Sequence, residues 1–239
     1  MQAELIERLL GINREFYQNF GEAFSATRAR LQPGVRRLVE GLEGSENILD
    51  LGCGNGELAG WLARTGHHGS YTGLELSPTL LSAANRKHGN FPIAFQQADL
   101  ASPGWDSSLQ PGMYERIFAF AVLHHIPGEN LRLEILRKIA CLLQSGGKFA
   151  HSHWQFLNSP RLKERIQPWQ TVGLSPDQLD PGDYLLDWKR DGYGLRYVHH
   201  FDEKELNALA QTAGFRPIET FLSDGQGGNL GLYQIWELS

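Results

Sequence analysis

The chain has 239 residues, 41% of them hydrophobic, which is enough to bury a substantial core in one α/β domain. Its formal net charge of -5 argues against binding nucleic acid, DNA included, through a general positive field. Two cysteines are too few for a disulfide framework or a metal site built of cysteines, so we expect a reducing, cytoplasmic compartment.

The N-terminal segment, residues 1 to about 45, is predicted to be a helical cap. Its apolar side chains recur at helical spacing: Leu5, Leu9, Ile12 and Phe16. The opening MQAELIERLL carries acids instead of a basic stretch before an apolar one. The longest apolar run, IFAFAVL, is far below the ~20 residues that span a bilayer, so we expect no export signal and no membrane anchor.

Strand and helix patterns alternate over residues 46–154. Apolar strands are predicted at NILDL, YTGLEL, PIAFQQA, RIFAFAVL and KFAHSHW, with amphipathic helices between them. Ser77 is placed to cap a helix that begins at Pro78. This alternation predicts a doubly wound, Rossmann-like α/β fold with a mostly parallel sheet covered on both faces.

Residues 155–200 interrupt this rhythm with several prolines and many aromatic side chains, and we expect an inserted substrate lid. Residues 201–239 return to regular structure. Asp202 and Glu205 have capping-box spacing for a helix that ends at Gly214, and the turn DGQGGN joins two final strands that must be antiparallel. The prediction is one domain made of cap, core, lid and final hairpin.

A glycine-rich stretch, LDLGCGNGELAG, follows the first predicted strand at residues 49–60. Gly54, Gly56 and Ala59 have the spacing of a dinucleotide-binding loop, and S-adenosylmethionine uses a similar loop. Glu75 follows about 20 residues later at a strand end, where a carboxylate can accept hydrogen bonds from ribose hydroxyls. Both cofactors contain that ribose, so these residues alone leave the choice open.

Two further acids favour S-adenosylmethionine. Asp50 precedes the glycines, and Asp99 follows the third strand, where it can accept a hydrogen bond from an adenine amino group. With the blocks LDLGCGNG, LELS, QQADL, AVLHHI and LLQSGGKF in order, the sequence resembles the class I S-adenosylmethionine-dependent methyltransferases over residues 45–155 and the last two strands. It departs at residues 114–116, Tyr-Glu-Arg, where the family often has Asp.

The resemblance implies a seven-stranded sheet with an antiparallel C-terminal hairpin and a methyl donor bound at the carboxyl ends of the strands, with S-adenosylhomocysteine as product. It implies contact of Asp50 with the donor ammonium, Glu75 with the ribose and Asp99 with the adenine edge. Leu76 and Leu100 would flank the adenine ring. The remaining donor-site residues expected from it are Gly52, Cys53, Gly54, Gly56 and Ala121.

A narrower resemblance involves FSATR (24–28), GDYLLDW (182–188) and RYVHHF (196–201). These segments are similar to those of the tRNA wobble-uridine carboxymethyl methyltransferases, which esterify a 5-carboxymethyl group in the anticodon. The family's eukaryotic members work with a small zinc-binding activator subunit, a possible partner here. Arg30 and Gln32-Pro33 replace a family Lys and Trp-Pro pair, and Val198 replaces a Tyr, so a related but different substrate is also consistent.

A carboxylate acceptor is already ionised at neutral pH and needs alignment instead of a general base. Arginine suits that task, which assigns Arg28 and Arg196 to hold the carboxylate, with Tyr197 and His199 shaping the pocket. The alternative for both arginines is surface ion pairs that brace cap against lid.

Several other residues carry two interpretations each. His124 and His125 follow the fourth strand and would either act as a base or pack the strand end. His151 and His153 face one side of a strand but lack a third ligand, so we expect no metal site. Trp154 would stack on an unpaired base or belong to the lid's apolar core.

Any RNA contact must come from local basic clusters, which also fit an ordinary solvated surface. These clusters are Arg28, Arg30, Arg36 and Arg37 near the N-terminus and Arg161, Lys163 and Arg165 in the insertion. The first functional hypothesis is methyl transfer to a tRNA wobble-uridine carboxylate. Alternatives are a small-molecule O- or N-methyltransferase and a non-catalytic subunit that binds the donor.

Overall fold

The computed structural model describes residues 1–26, 30–86 and 89–239. The predicted N-terminal cap contains two helices, α1 (Ala3–Ala26) and α2 (Pro33–Val39). Pro33 occupies the first turn of α2, as expected, because a first-turn residue needs no N–H partner within the helix.

A central sheet of seven strands confirms the predicted fold class. Its strands are β1 (Ile48–Leu51), β2 (Tyr71–Glu75), β3 (Ile93–Gln97), β4 (Tyr114–Phe120), β5 (Leu143–Trp154), β9 (Phe215–Ser223) and β10 (Gly231–Leu238). They lie in the order β3-β2-β1-β4-β5-β10-β9. The first five are parallel, and β10 pairs antiparallel with both β5 and β9.

Four helices lie between strands of this sheet along the chain: α3 (Glu57–Thr65), α4 (Pro78–Ala84), α5 (Glu129–Leu142) and α7 (Glu203–Thr212). Two predicted caps are present. The Ser77 side chain accepts from the Leu80 amide at the start of α4, and Asp202 accepts from the Glu205 amide at the start of α7. These local signals set where each helix begins.

Each face of the sheet buries its own apolar core. On one face, Ile117 and Phe149 pack with α5 and α7. On the other, Ile48 and Phe118 pack with α2 and α3. Burial on both faces explains why the parallel strands carry nearly continuous apolar sequences.

The insertion at residues 155–200 contains a short helix, α6 (Pro160–Lys163), and a second sheet. Its strands, β6 (Ile166–Gln167), β7 (Asp183–Trp188) and β8 (Gly194–His199), are antiparallel in the order β6-β7-β8. Leu185 and Tyr197 of this sheet share an apolar cluster with Leu9 of α1. The insertion and the cap therefore pack against each other.

Within the described ranges, none of the helices combines the length and apolar character that a membrane crossing requires.

Candidate donor and acceptor site

A cavity of about 500 Å³ opens at the carboxyl ends of β1 to β5 and is covered by α1. In open α/β sheets this edge, beside the point where strand order reverses, is where ligands bind. Residues predicted for the donor site line this cavity.

Nine of the ten residues predicted for the donor site line the cavity, and the exception is Gly56. The nine are Asp50, Gly52, Cys53, Gly54, Glu75, Leu76, Asp99, Leu100 and Ala121. Of the predicted acceptor residues that the structure describes, none lines it.

The loop between β1 and α3 brings backbone against the cavity. Gly52, Gly54 and Gly56 all have positive φ, at 70°, 57° and 74°. A Cβ atom at Gly52 would lie 2.5 Å from a Val122 methyl carbon, so glycine is needed there for space as well as for conformation. Gly56 caps the N-terminus of α3. Glu57 and Leu58, the first residues of α3, line the cavity, so the positive end of this helix lies where it would favour a ligand anion.

Three carboxylates face the cavity from successive strand ends. Asp50 is 4% exposed and accepts a 2.6 Å hydrogen bond from the Tyr71 hydroxyl. Burial raises the pKa of Asp50 to about 7, although that hydrogen bond opposes the shift. Glu75 accepts from the amides of Gly54 and Ser77 at 2.9 and 2.8 Å. Burial raises the pKa of Glu75 while these bonds oppose it.

The third carboxylate, Asp99, accepts from the Ala101 amide at 2.9 Å and from Arg14 of α1 at 3.0 Å. Leu76 and Leu100 supply apolar wall beside it. Together, the glycine loop, three acids and leucines fit a ligand that combines an amino acid, a ribose and an adenine. The donor set therefore suits S-adenosylmethionine.

Ala121 follows β4 with a positive φ of 58°, which is uncommon for a residue with a side chain. Its amide donates to the Ser152 carbonyl at 3.0 Å, which holds this conformation. Backbone strain of this kind concentrates at functional sites. Cys53 is buried, and burial together with Asp50 raises the pKa of its thiol, so it is a poor nucleophile.

Residues of α1 form the wall that the sequence did not predict. Asn13, Arg14 and Tyr17 line the cavity, as does His125 from the turn after β4. The Tyr17 hydroxyl lies 3.0 Å from His125 Nε2, and His125 Nδ1 lies 3.2 Å from the Tyr197 carbonyl. A carbonyl can only accept, so Nδ1 carries a proton and a neutral His125 has its lone pair on Nε2.

The sequence contains one signal for two of these α1 residues. Asn13 and Tyr17 are four positions apart among the apolar positions of the helix, which places both on one face. A polar residue within an apolar stripe indicates a buried polar contact or a binding surface.

Arg196 was expected to hold the acceptor, but the structure places it beside the cavity wall. It is 4% exposed, and its guanidinium carbon lies 4.6 Å from the ring centre of Trp154 and 5.4 Å from that of Phe16. Trp154 itself lines the cavity. Arg28, the other predicted acceptor residue, lies outside the described residues.

Tyr197 and His199 belong to a buried polar cluster instead of the cavity wall. The Tyr197 hydroxyl donates to Asp183 at 2.7 Å and accepts from Arg132 at 3.0 Å. His199 contacts Asp183 at 2.6 Å and Glu205 at 2.9 Å through its two ring nitrogens. Although burial lowers the pKa of His199, these hydrogen bonds outweigh it and raise the pKa. The cluster ties β7 and β8 to α5 and α7.

The remaining histidines lie around the end of β5. His124 is buried and does not line the cavity, and its Nδ1 lies 3.4 Å from the Trp154 amide. His151 and His153 contact each other at 2.7 Å, and burial lowers the pKa of His151 to about 3. Among the residues described, no group of three or more His, Cys, Asp or Glu side chains is arranged to hold a metal ion.

Comparison with known proteins agrees with this geometry. A family model described as a methyltransferase domain matches residues 24–220. The 27-O-demethylrifamycin SV methyltransferase of Amycolatopsis mediterranei is 29% identical over 169 residues, 66% of this chain and 57% of that protein. The tRNA (carboxymethyluridine(34)-5-O)-methyltransferase of Schizosaccharomyces pombe is 25% identical over 219 residues, 84% of this chain and 86% of that protein.

A solved structure with the same fold is 1,6-didemethyltoxoflavin-N1-methyltransferase of Burkholderia thailandensis, with a TM-score of 0.67 at 18% identity over 100% of this chain and 92% of that one. The family model covers most of the chain. The chain therefore belongs to the methyltransferase domain family and is an S-adenosylmethionine-dependent methyltransferase.

Proposed function

We propose that the enzyme methylates the carboxylate of a 5-carboxymethyluridine at the wobble position of tRNA. The observation that carries this proposal is the length of the match to the Schizosaccharomyces pombe tRNA enzyme. Its 219 residues are too many to be confined to residues 46–154, so the likeness extends into the cap or the insertion. Those are the segments in which acceptor selection is expected.

In this proposal the three acids hold the donor. Asp50 pairs with the donor ammonium, Glu75 accepts from the ribose hydroxyls and Asp99 accepts from the adenine amino group. The glycine loop lies against the methionine portion, whose carboxylate meets the N-terminus of α3. A donor held by these residues would present its methyl group to the part of the cavity lined by Tyr17, His125 and Trp154.

The acceptor carboxylate needs only to be held in line with that methyl group. One carboxylate oxygen forms the new bond to carbon, the carbon–sulfur bond breaks, and its electron pair stays on sulfur, giving an ester and S-adenosylhomocysteine with no proton transferred. Trp154 offers a ring on which a pyrimidine stacks. Arg196, stacked on Trp154, supplies positive charge that favours an anionic acceptor.

A small-molecule O- or N-methyltransferase is the second candidate, and the Tyr17–His125 contact favours it. A hydroxyl or amine acceptor must lose a proton. His125 can act as the base and take that proton on Nε2 once the Tyr17 hydroxyl moves away from it. A carboxylate acceptor has no such requirement.

The test offers both acceptors to the purified enzyme. Labelled S-adenosylmethionine is incubated with bulk tRNA rich in 5-carboxymethyluridine and, in parallel, with a small-metabolite extract, and the product is identified by mass spectrometry. A methyl ester on the wobble uridine is the expected result. Label confined to a metabolite would contradict the tRNA proposal and support the second candidate.

Variants test the role of the arginines. Arg196→Gln is expected to lower tRNA methylation at least about tenfold while donor affinity stays unchanged. Arg216→Gln, an exposed arginine on β9, is the matched control. Full activity in an Arg28→Ala, Arg196→Ala double variant would exclude both from holding the acceptor.

A further inference from the structure

Helix α1 reaches both ends of the cavity. Leu10, Asn13, Arg14 and Tyr17 line it from one helix face, at the spacing of successive turns. Arg14 contacts Asp99 after β3, and Tyr17 contacts His125 after β4. The helix therefore covers the space between the two strand ends.

A second set of contacts, made by Asn13, attaches α1 to the insertion and to the turn after β4. Asn13 donates to the carbonyls of His125 and Tyr197 at 3.2 Å each and accepts from the Tyr197 amide at 2.9 Å. All of its amide hydrogen-bonding groups are thus used to attach α1 to β8 and to the turn after β4. Leu9 and Phe16 are buried on the same side.

Towards the donor half, α1 presents a charged contact that solvent reaches. The side chains of Arg14 and Asp99 are 33% and 22% exposed, and Arg14 also pairs with Glu7 of its own helix. An ion pair of this exposure opens readily and is weakened by salt. The two attachments of α1 therefore differ: one is buried and neutral, and the other is ionic and partly open.

Asp99 can keep this pair while a donor is bound. Its Oδ1 accepts from the Ala101 amide and its Oδ2 from Arg14, and each carboxylate oxygen has two lone pairs. Oδ2 therefore retains a site for an adenine amino group.

We propose that Arg14 is a donor-retaining residue whose ion pair with Asp99 holds α1 across the adenine side of the cavity, so that the donor leaves only after this pair opens. The proposal rests on the assignment of Asp99 to the adenine edge. It concerns the donor alone and does not depend on which acceptor is methylated.

The test measures release of S-adenosylhomocysteine from the purified full chain by chase with excess unlabelled ligand. Arg14→Gln is expected to raise the release rate about threefold to fivefold, the upper part of the range for losing a partly exposed ion pair. In the unchanged protein, release should accelerate as salt rises to about 0.5 M, and in Arg14→Gln it should lose this dependence. Arg14→Lys should restore part of the retention.

Arg8→Gln is the matched control, because Arg8 lies on α1 but donates to the Val172 carbonyl of the insertion. It should leave donor release within about twofold of the unchanged protein. Equal acceleration in Arg8→Gln and Arg14→Gln would mean that any loosening of α1 frees the donor and would overturn the proposal. Slower release from Arg14→Gln would also overturn the proposal, because it would mean that the ion pair competes with adenine. Unchanged release would overturn it as well, because it would mean that the ion pair has no effect on the donor.

Discussion

The two ends of the cavity are built in different ways. At the end proposed to hold the donor, a glycine loop and three carboxylates project from consecutive strand ends of the central sheet. At the end proposed for the acceptor, side chains from α1, from the turn after β4 and from β5 meet across long stretches of chain. The donor end thus depends on local backbone conformation, whereas the acceptor end depends on how cap, insertion and core pack together.

The largest expected effect breaks that packing. Arg132 of α5 is 1% exposed and donates to the Ile126 carbonyl at 2.8 Å and to the Tyr197 hydroxyl at 3.0 Å. Its guanidinium also lies 3.9 Å from the buried Asp183 carboxylate. Arg132→Ala removes this positive partner of Asp183, and we expect the free energy of unfolding to fall by about 3–5 kcal/mol. Urea unfolding measures this change in the free energy of unfolding.

Arg137→Ala supplies the control for that variant, because Arg137 is an exposed residue of the same helix. Its stability should change by less than about 0.5 kcal/mol. A similar small change in both variants would mean that the buried cluster does not hold the insertion to the core.

The next effect concerns the donor end alone. Gly52→Ala places a Cβ atom 2.5 Å from a Val122 methyl carbon and forces a side chain into a positive φ, so donor affinity should fall about 100-fold. Gly54→Ala is the comparison, since Gly54 also has positive φ but an added Cβ would meet no atom within 4 Å. Its loss should be about tenfold. Calorimetric titration with S-adenosylmethionine distinguishes them, and equal losses would show that the Val122 contact is irrelevant.

These differences explain what could be predicted from sequence. The glycine loop, the strands and the cap residues Ser77 and Asp202 each have a signal within a few residues, and the structure contains them. Arg14 and Tyr17 have no such signal for their contacts, because their partners lie 85 and 108 positions away. Local patterns cannot specify which helix face meets a distant strand end.

Strand alternation explains why the predicted acceptor residues Arg196, Tyr197 and His199 lie in two different places. Tyr197 and His199 share one face of β8, which meets Arg132 and Asp183. Arg196 points to the opposite face and meets Trp154. The sequence indicates that these residues alternate, but it does not indicate which face lies nearer the cavity.

The pH dependence of donor affinity tests the role of Asp50 at the donor end. Asp50 must be ionised to pair with an ammonium, and burial raises its pKa to about 7 in the protein without donor. Binding therefore requires loss of a proton below that pH, so donor affinity should fall as pH decreases and be about tenfold weaker near pH 6 than on the plateau above it. Asp50→Asn should bind weakly and lose this dependence. A dependence that persists in Asp50→Asn would assign it to another group.

The smallest expected effect is at the acceptor end. Tyr17→Phe removes the hydroxyl that lies 3.0 Å from His125 Nε2 but leaves the contact of Nδ1 with the Tyr197 carbonyl. We expect turnover to fall about fivefold with unchanged donor affinity, because the His125 ring beside the acceptor loses one of the contacts that orient it. Tyr193→Phe, at an exposed site, is the control.

The pH dependence of this loss of turnover distinguishes the acceptors. A carboxylate acceptor needs no base, so the loss of turnover in Tyr17→Phe should be independent of pH. With a hydroxyl or amine acceptor, the loss of turnover should be largest at the pH where His125 must take the proton. Unchanged turnover would remove Tyr17 from the acceptor end and leave α1 with a role only at the donor end.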